Sequence, residues 1–141
     1  LSEHNRQFIL KILVLTSNGL NSDVTLKVGS NVGRGDKDVY GSVGVSSKKP
    51  ASKAYHTVVH DYSKGVQVRT GAIRIAKDCL GDGDQGVVTL IHEATHKYAG
   101  TWDYAYFDES GRYAKDSFHT RSKATENADS FAWFVQRVGS A

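Results

Sequence analysis

The chain has 141 residues, a length that fits one domain with a substantial buried core and argues against two domains. Its composition, 39% hydrophobic and 23% charged, excludes extended disorder over most of the chain. The formal charge of +3 comes from 18 Lys and Arg scattered among 15 acids, without the clustered basic stripe that nucleic-acid binding requires. No window approaches the roughly 20 apolar residues of a membrane span.

The chain begins at Leu1 and contains no methionine. We therefore expect a processed form: either a secreted protein that has lost an upstream propeptide, or an effector domain of a larger polypeptide. The single cysteine, Cys79, can form no intramolecular disulfide and has no second cysteine at ligand spacing, so it is expected to be a small buried hydrophobe. A monomer is expected.

The first part of the chain is predicted to contain a helix and two strands. Apolar residues at helical spacing predict a helix over residues 2–17 that ends at Asn18 and Gly19. Alternating apolar and polar residues predict a strand over 24–28. A second strand is expected near 39–45, within a long loop that is rich in Gly, Ser and Lys.

Three runs of β-forming residues follow, at 55–59, 66–69 and 72–76, with Thr70 and Gly71 separating the last two. They predict a small, largely antiparallel sheet. His56 and His60 also lie in this region, but on a strand two residues four apart are separated by more than about 12 Å. Metal binding by this pair is therefore the weaker interpretation, and packed or solvent-facing histidines are the stronger one.

Two helices are predicted in the second half. The first runs from Asp84 or Gln85 to Tyr98 and ends at Gly100. The second begins near Ser122 and is expected to lie beside the first. Its apolar face is predicted from the spacing of Ala124, Ala128, Phe131, Ala132, Val135 and Val138.

The first of these helices carries the pattern His92-Glu93-x-x-His96. Two histidines four apart on a helix share one face, so both imidazoles can reach one metal ion. A catalytic zinc takes three protein ligands and keeps one position for water, whose pKa it lowers to about 7. Glu93, beside the first ligand, is placed to act as the general base.

The third ligand must come from chain that turns back toward the helix. Gly100 can take the left-handed conformation that reverses the chain, and Asp103 follows it by three residues. His119 is the competing third ligand, but it lies in a stretch without such a turn. We prefer Asp103.

These residues resemble those of the aspzincin metallopeptidases, the deuterolysin and peptidyl-Lys metalloendopeptidase family. The similarity rests on the His92 to His96 pattern, on Gly100-Thr101-x-Asp103-x-x-Tyr106, and on the stretch from Asn127 to Ser130, which reads Asn-Ala-Asp-Ser. It covers mainly residues 91–135. Tyr106 is followed by Phe107, where the family usually has Gly.

The resemblance implies a role for each matching residue. His92, His96 and Asp103 would bind zinc, Glu93 would be the general base, and Tyr106 would donate its phenol to the oxyanion.

Two further residues are candidates for support of the site. Thr101 would orient a ligand, and Asp129 would face the site from the neighbouring helix. The resemblance implies that such an acid can line the pocket for the residue after the cleaved bond. The lysine-specific branch has a further acid one turn later, where this chain has Ala132.

We therefore expect one zincin-like α+β domain over residues 1–141, with a small twisted sheet, an active-site helix and a second packing helix. The expected function is zinc-dependent hydrolysis of internal peptide bonds in a protein or peptide substrate. Two alternatives stay open. One is a zinc amidase or deamidase, or an effector-toxin domain, on the same scaffold, and the other is a non-catalytic domain with a structural zinc.

Overall fold

A computed structural model describes residues 2–22, 24–29, 41–46, 68–81, 83–107 and 124–140. Within them the chain forms four helices and one three-stranded sheet, an α+β arrangement as expected. The helices are α1 (Glu3–Leu20), α2 (Lys77–Leu80), α3 (Gln85–Ala99) and α4 (Ala128–Gly139). The strands are β1 (Leu26–Gly29), β2 (Gly41–Ser46) and β3 (Val68–Ala76).

Helix α1 begins where the sequence predicts and ends three residues later than predicted. The Ser2 side chain accepts a hydrogen bond from the backbone N–H of Asn5, which satisfies one of the free donors of the first turn. The helix continues through Gly19, which lies against the Tyr98 ring of α3. A Cβ at this position would overlap that ring, so the close approach requires glycine.

The sheet has the order β1-β3-β2 and is mixed, so the expectation of a largely antiparallel sheet is wrong for the described strands. β2 pairs antiparallel with β3, whereas β1 pairs parallel with it. A parallel pair needs a crossover of a dozen or more residues, and the chain between Gly29 and Val68 is long enough to provide one.

The predicted break at Thr70 and Gly71 is also wrong, because β3 runs through both residues as one strand. The ladder is irregular at this place. Val43 pairs with Ile73 and Val45 with Arg69, so the register shifts between the two pairs. A glycine inside a strand often marks such an irregularity and need not end the strand. The predicted strand over 55–59 lies outside the described residues, as do His56 and His60.

Helix α3 lies between two parts of the core. Its Ala99 belongs to a cluster with Phe8 and Ile12 of α1 and Phe131 of α4. Its Ala94 belongs to a second cluster, whose other buried members come from the sheet and α2: Val43, Ile73, Ile75 and Cys79. Cys79 is fully buried, as predicted. Because α3 is covered on both sides, most of its polar residues are buried as well: Thr89, His92, Glu93, Thr95 and His96.

Helix α4 packs against α3 as expected, but it begins at Ala128, not near Ser122. Ala124 and Thr125 form a short helical turn, and the chain then leaves the helix at Glu126 and Asn127. The cause is a bridge to the loop after α3: Trp102 N–H donates to Glu126 O at 2.8 Å, and Ala128 N–H donates to Trp102 O at 2.9 Å.

No helix in the described part of the chain is long and apolar enough to cross a membrane.

Candidate metal centre

His92 and His96 project from the buried side of α3, and their Nε2 atoms lie 3.1 Å apart. This proximity follows from their spacing of four residues, which is about one helical turn. The imidazole planes are nearly perpendicular, at 84°. The two predicted histidine ligands therefore converge on one point.

The turn after α3 brings Asp103 to the same point. Gly100 is the C-cap and takes the left-handed conformation, with φ 73° and ψ 26°. The chain then reverses, and Asp103 Oδ1 reaches 2.9 Å from His92 Nε2 and 3.0 Å from His96 Nε2. The side chain of Asp103 is 35% exposed, so this corner of the cluster faces solvent. His119, the competing ligand, lies outside the described residues.

The geometry of these three residues fits a metal ion. Their ligand atoms form a triangle with sides of 2.9 to 3.1 Å. Zinc bonds of about 2.0 to 2.2 Å in a tetrahedral site place neighbouring ligand atoms about 3.3 Å apart, close to the triangle seen here. In the described part of the chain this is the group of His, Cys, Asp or Glu residues that could hold an ion.

A hydrogen bond at Nδ1 sets the orientation of each imidazole ring. His96 Nδ1 donates to the backbone carbonyl of Thr101 at 2.7 Å, and His92 Nδ1 donates to Asp129 Oδ1 at 2.8 Å. A carbonyl or carboxylate oxygen can only accept, so Nδ1 carries a proton, and a ring whose Nε2 gives its lone pair to a metal is the neutral Nδ1–H form. This is the tautomer that a metal at Nε2 requires.

No family model, curated protein or solved structure matches the chain.

Thr101 contacts His96, a predicted ligand, through its backbone carbonyl. It is buried, and its hydroxyl lies 2.8 Å from the hydroxyl of Thr95, which donates in turn to His92 O on α3. These bonds connect the turn after Gly100 with the last turns of the helix. They fix the position of the carbonyl that holds His96.

Glu93 lies on the sheet side of the cluster and is buried. Its Oε1 lies 4.0 Å from His92 Nε2. This is beyond hydrogen-bond distance, but a small molecule such as water at the ligand atoms could contact the carboxylate. Strand β2 forms the wall beside it. A Cβ added at Gly41 would stand 3.0 Å from Glu93 Cγ.

Tyr106 stacks on the His92 ring, with centroids 5.8 Å apart and planes 14° apart. Its side chain is half-exposed. Partial burial, followed by the charge and the hydrogen bond of Asp103, raises the pKa of the phenol. The hydroxyl therefore keeps its proton at neutral pH and remains a hydrogen-bond donor.

The charges of the cluster are strongly coupled. Burial lowers the pKa of His92, but hydrogen bonds to Asp103 and Asp129 outweigh it and raise this pKa to about 10. Burial raises the pKa of Asp103, whereas its hydrogen bonds to His92 and His96 lower it well below the usual range. Without an ion, the positive charge of protonated His92 offsets the negative charge of ionised Asp103.

Asn127 is a site residue to which the sequence interpretation gave no role. It is fully buried and is the N-cap of α4, yet its side chain makes no cap hydrogen bond to that helix. Its Oδ1 accepts from the N–H groups of Tyr104 and Ala105, and its Nδ2 donates to Ala105 O and Ser130 Oγ. It therefore holds the loop between Asp103 and Tyr106. A helix that begins near Ser122, as predicted, would contain Asn127, and local sequence gives no signal for contacts with residues more than twenty positions away.

Proposed function

We propose that the chain is a zinc-dependent endopeptidase with a zincin-like arrangement, similar to the aspzincins. The observation that carries the proposal is the triangle of His92, His96 and Asp103 ligand atoms, with both imidazoles held at Nδ1 and the Glu93 carboxylate beside them. Two nitrogens and one carboxylate oxygen are a ligand set of catalytic zinc sites.

Zinc held by these ligands would acidify water and polarise the scissile carbonyl. Glu93 takes the proton of the attacking water and passes it to the leaving amine. Tyr106, which keeps its proton, donates its hydroxyl to the oxyanion that develops on the carbonyl. An extended substrate can pair with β2, which is an edge strand among the described strands and runs beside Glu93.

The Glu93→Gln variant tests this function. It keeps the shape of the side chain but removes the base, so we expect kcat for peptide cleavage to fall by about 10² to 10⁴. Zinc content should stay at one ion per chain, because Glu93 is no ligand. The measurement is mass-spectrometric mapping of cut sites in a mixed peptide library, with zinc content determined by metal analysis.

The matched control is Glu3→Gln, an identical change at an exposed position on α1. It should cleave like the wild type. Cleavage by the Glu93→Gln variant at the wild-type rate would refute the mechanism.

The same assay separates the two alternative functions. Turnover of small amides without peptide cleavage would indicate an amidase or deamidase with the same ligands and base. Bound zinc with neither activity would indicate a structural ion. The geometry argues against a structural ion, since a closed structural site uses four protein ligands and the described residues offer three.

A further inference from the structure

The Asp129 carboxylate faces inward and meets protein donors at both oxygens. Oδ1 lies 2.8 Å from His92 Nδ1, and Oδ2 accepts from the backbone N–H of Phe107 at 2.7 Å. The residue is only 6% exposed. A carboxylate that recognises a substrate cation has to offer an oxygen to the substrate, and this one is engaged within the protein.

The two bonds connect three separate parts of the chain. Asp129 lies in the first turn of α4, His92 in α3, and Phe107 directly after Tyr106. Asn127, two residues earlier, holds Tyr104 and Ala105 of the same loop. The start of α4 therefore fixes the position of the first ligand together with the loop that carries Asp103 and Tyr106.

We propose that Asp129 is a positioning residue for His92 and not the acid that recognises a basic side chain of the substrate. Its carboxylate holds a proton on His92 Nδ1, so that Nε2 is the nitrogen that would bind a metal together with His96 and Asp103. The inference about metal binding depends only on the geometry of the cluster, whereas its consequence for peptide cleavage rests on the proposed function.

The consequence concerns the residue that follows the cleaved bond. One turn beyond Asp129, α4 carries Ala132, which is fully buried. Neither position therefore offers a carboxylate to a lysine or arginine side chain. Substrates with neutral residues after the cleaved bond should be cut at least as well as otherwise identical lysine substrates.

The Asp129→Asn variant tests the inference because an amide has one acceptor and one donor where the carboxylate has two acceptors. If the amide oxygen faces Phe107 N–H, its NH₂ group faces His92 Nδ1 and forces the proton onto Nε2. If the oxygen faces His92, the NH₂ group faces the Phe107 N–H, and donor meets donor. Both orientations therefore disturb His92, although the side chain at position 129 keeps its size.

We expect the zinc affinity of Asp129→Asn to fall by about 10-fold to 100-fold, as for other carboxylates behind a histidine ligand. Competition with a chromophoric chelator measures it. Asp78→Asn, the same change at an exposed position on α2, should bind zinc like the wild type. An Asp129→Asn affinity within twofold of the wild type would overturn the proposal.

A second measurement uses the zinc-loaded wild-type chain and depends on no variant. Long-range ¹H–¹⁵N correlation spectra of the imidazoles should show His92 protonated at Nδ1 and unprotonated at Nε2. The Nδ1 proton should exchange slowly, because its acceptor is buried. A His92 ring protonated at Nε2 would contradict the assigned role even if Asp129→Asn failed to fold.

Cleavage of two peptides that differ only after the cut, Lys in one and Leu in the other, separates positioning from recognition. For a positioning residue, Asp129→Asn lowers kcat/KM for both peptides by the same factor. A loss confined to the lysine peptide, with unchanged zinc affinity, would identify a recognition acid. If the wild type cut neither peptide, the proposed protease function would fail while the zinc and NMR measurements still decided the role of Asp129.

Discussion

At the scale of single residues, the ability of the two histidines to bind a metal depends on the hydrogen-bond partners of Nδ1 as well as on the position of Nε2. Asp129 and Thr101 O can only accept, so Nδ1 of each ring carries a proton and only Nε2 can bind a metal. The ligand residues themselves could be predicted from the spacing of His92 and His96 and from the turn at Gly100. Thr101 and Asp129 are expected near the site only through the family resemblance. The bond of Asp129 to His92 and the bonds of Asn127 to Tyr104 and Ala105 could not be predicted, because they join residues more than twenty positions apart and local pattern carries no such information.

Proton release on metal binding follows from the charge state of His92. Its pKa of about 10 means that the ring carries a second proton in the metal-free protein at neutral pH. Zinc needs the neutral ring, so it has to displace this proton. We expect about one proton released per zinc at pH 7, and an affinity that rises about tenfold per pH unit between pH 6 and 8.

Titration calorimetry in buffers of different ionisation enthalpy measures this release. The observed enthalpy should change linearly with the buffer's ionisation enthalpy, with a slope of about one proton. The exposed His4 on α1 provides the control, since a His4→Gln variant should give the same slope. An enthalpy independent of the buffer would show that His92 is already neutral before the metal binds.

At the scale of elements, the helices follow the sequence more closely than the sheet does. The bounds of α3 are set locally, by apolar spacing and by Gly100, and were predicted within a residue. The pairing of β1 with β3 joins strands about forty residues apart, and alternation within a strand does not determine its neighbour or its direction. The start of α4 was misplaced for a similar reason, because the bridge to Trp102 interrupts the helix from outside.

Strand β2 approaches α3 closely at Gly41, and this gives a prediction. In Gly41→Ala, the new Cβ would stand 2.6 Å from Thr89 Cγ2 and 3.0 Å from Glu93 Cγ, so one of these side chains has to move. We expect about 1 to 3 kcal/mol lower stability and a kcat reduced by at least about tenfold, because the base is displaced. Zinc affinity should be unchanged, since the atoms nearest the new Cβ belong to Thr89 and Glu93, which are not predicted ligands.

The control is Gly29→Ala on β1, where a Cβ would meet nothing within 4 Å. It should keep wild-type stability and activity. Chemical denaturation, zinc competition and peptide cleavage are measured on both variants. Undiminished kcat in Gly41→Ala would mean that the position of Glu93 does not depend on β2.

At the scale of the whole molecule, the cluster lies where α3, the loop after it and the start of α4 meet. Each supplies a different part: His92 and His96, then Asp103, then the acceptor Asp129. Helix α3 also joins the two parts of the hydrophobic core. A metal ion bound here would tie the loop to the central helix, so its binding free energy should add to the stability of the whole fold.

Zinc should therefore raise the unfolding temperature. At a free zinc concentration 100 times Kd, the added stability is about 2.7 kcal/mol, or roughly 8 °C for a chain of this length. Differential scanning calorimetry with zinc and with a chelator measures the shift. Asp103→Ala is the informative variant, because a side chain that is one-third exposed can be truncated without opening a core cavity.

That variant should unfold near the temperature of the metal-free wild type, with most of its zinc-dependent shift lost because only two ligands remain. His119→Ala, which removes the competing third ligand, should keep the full shift. The opposite pattern, with zinc still stabilising Asp103→Ala and no longer stabilising His119→Ala, would assign the third ligand to His119. If both variants kept the full zinc-dependent shift, neither residue would be a necessary ligand.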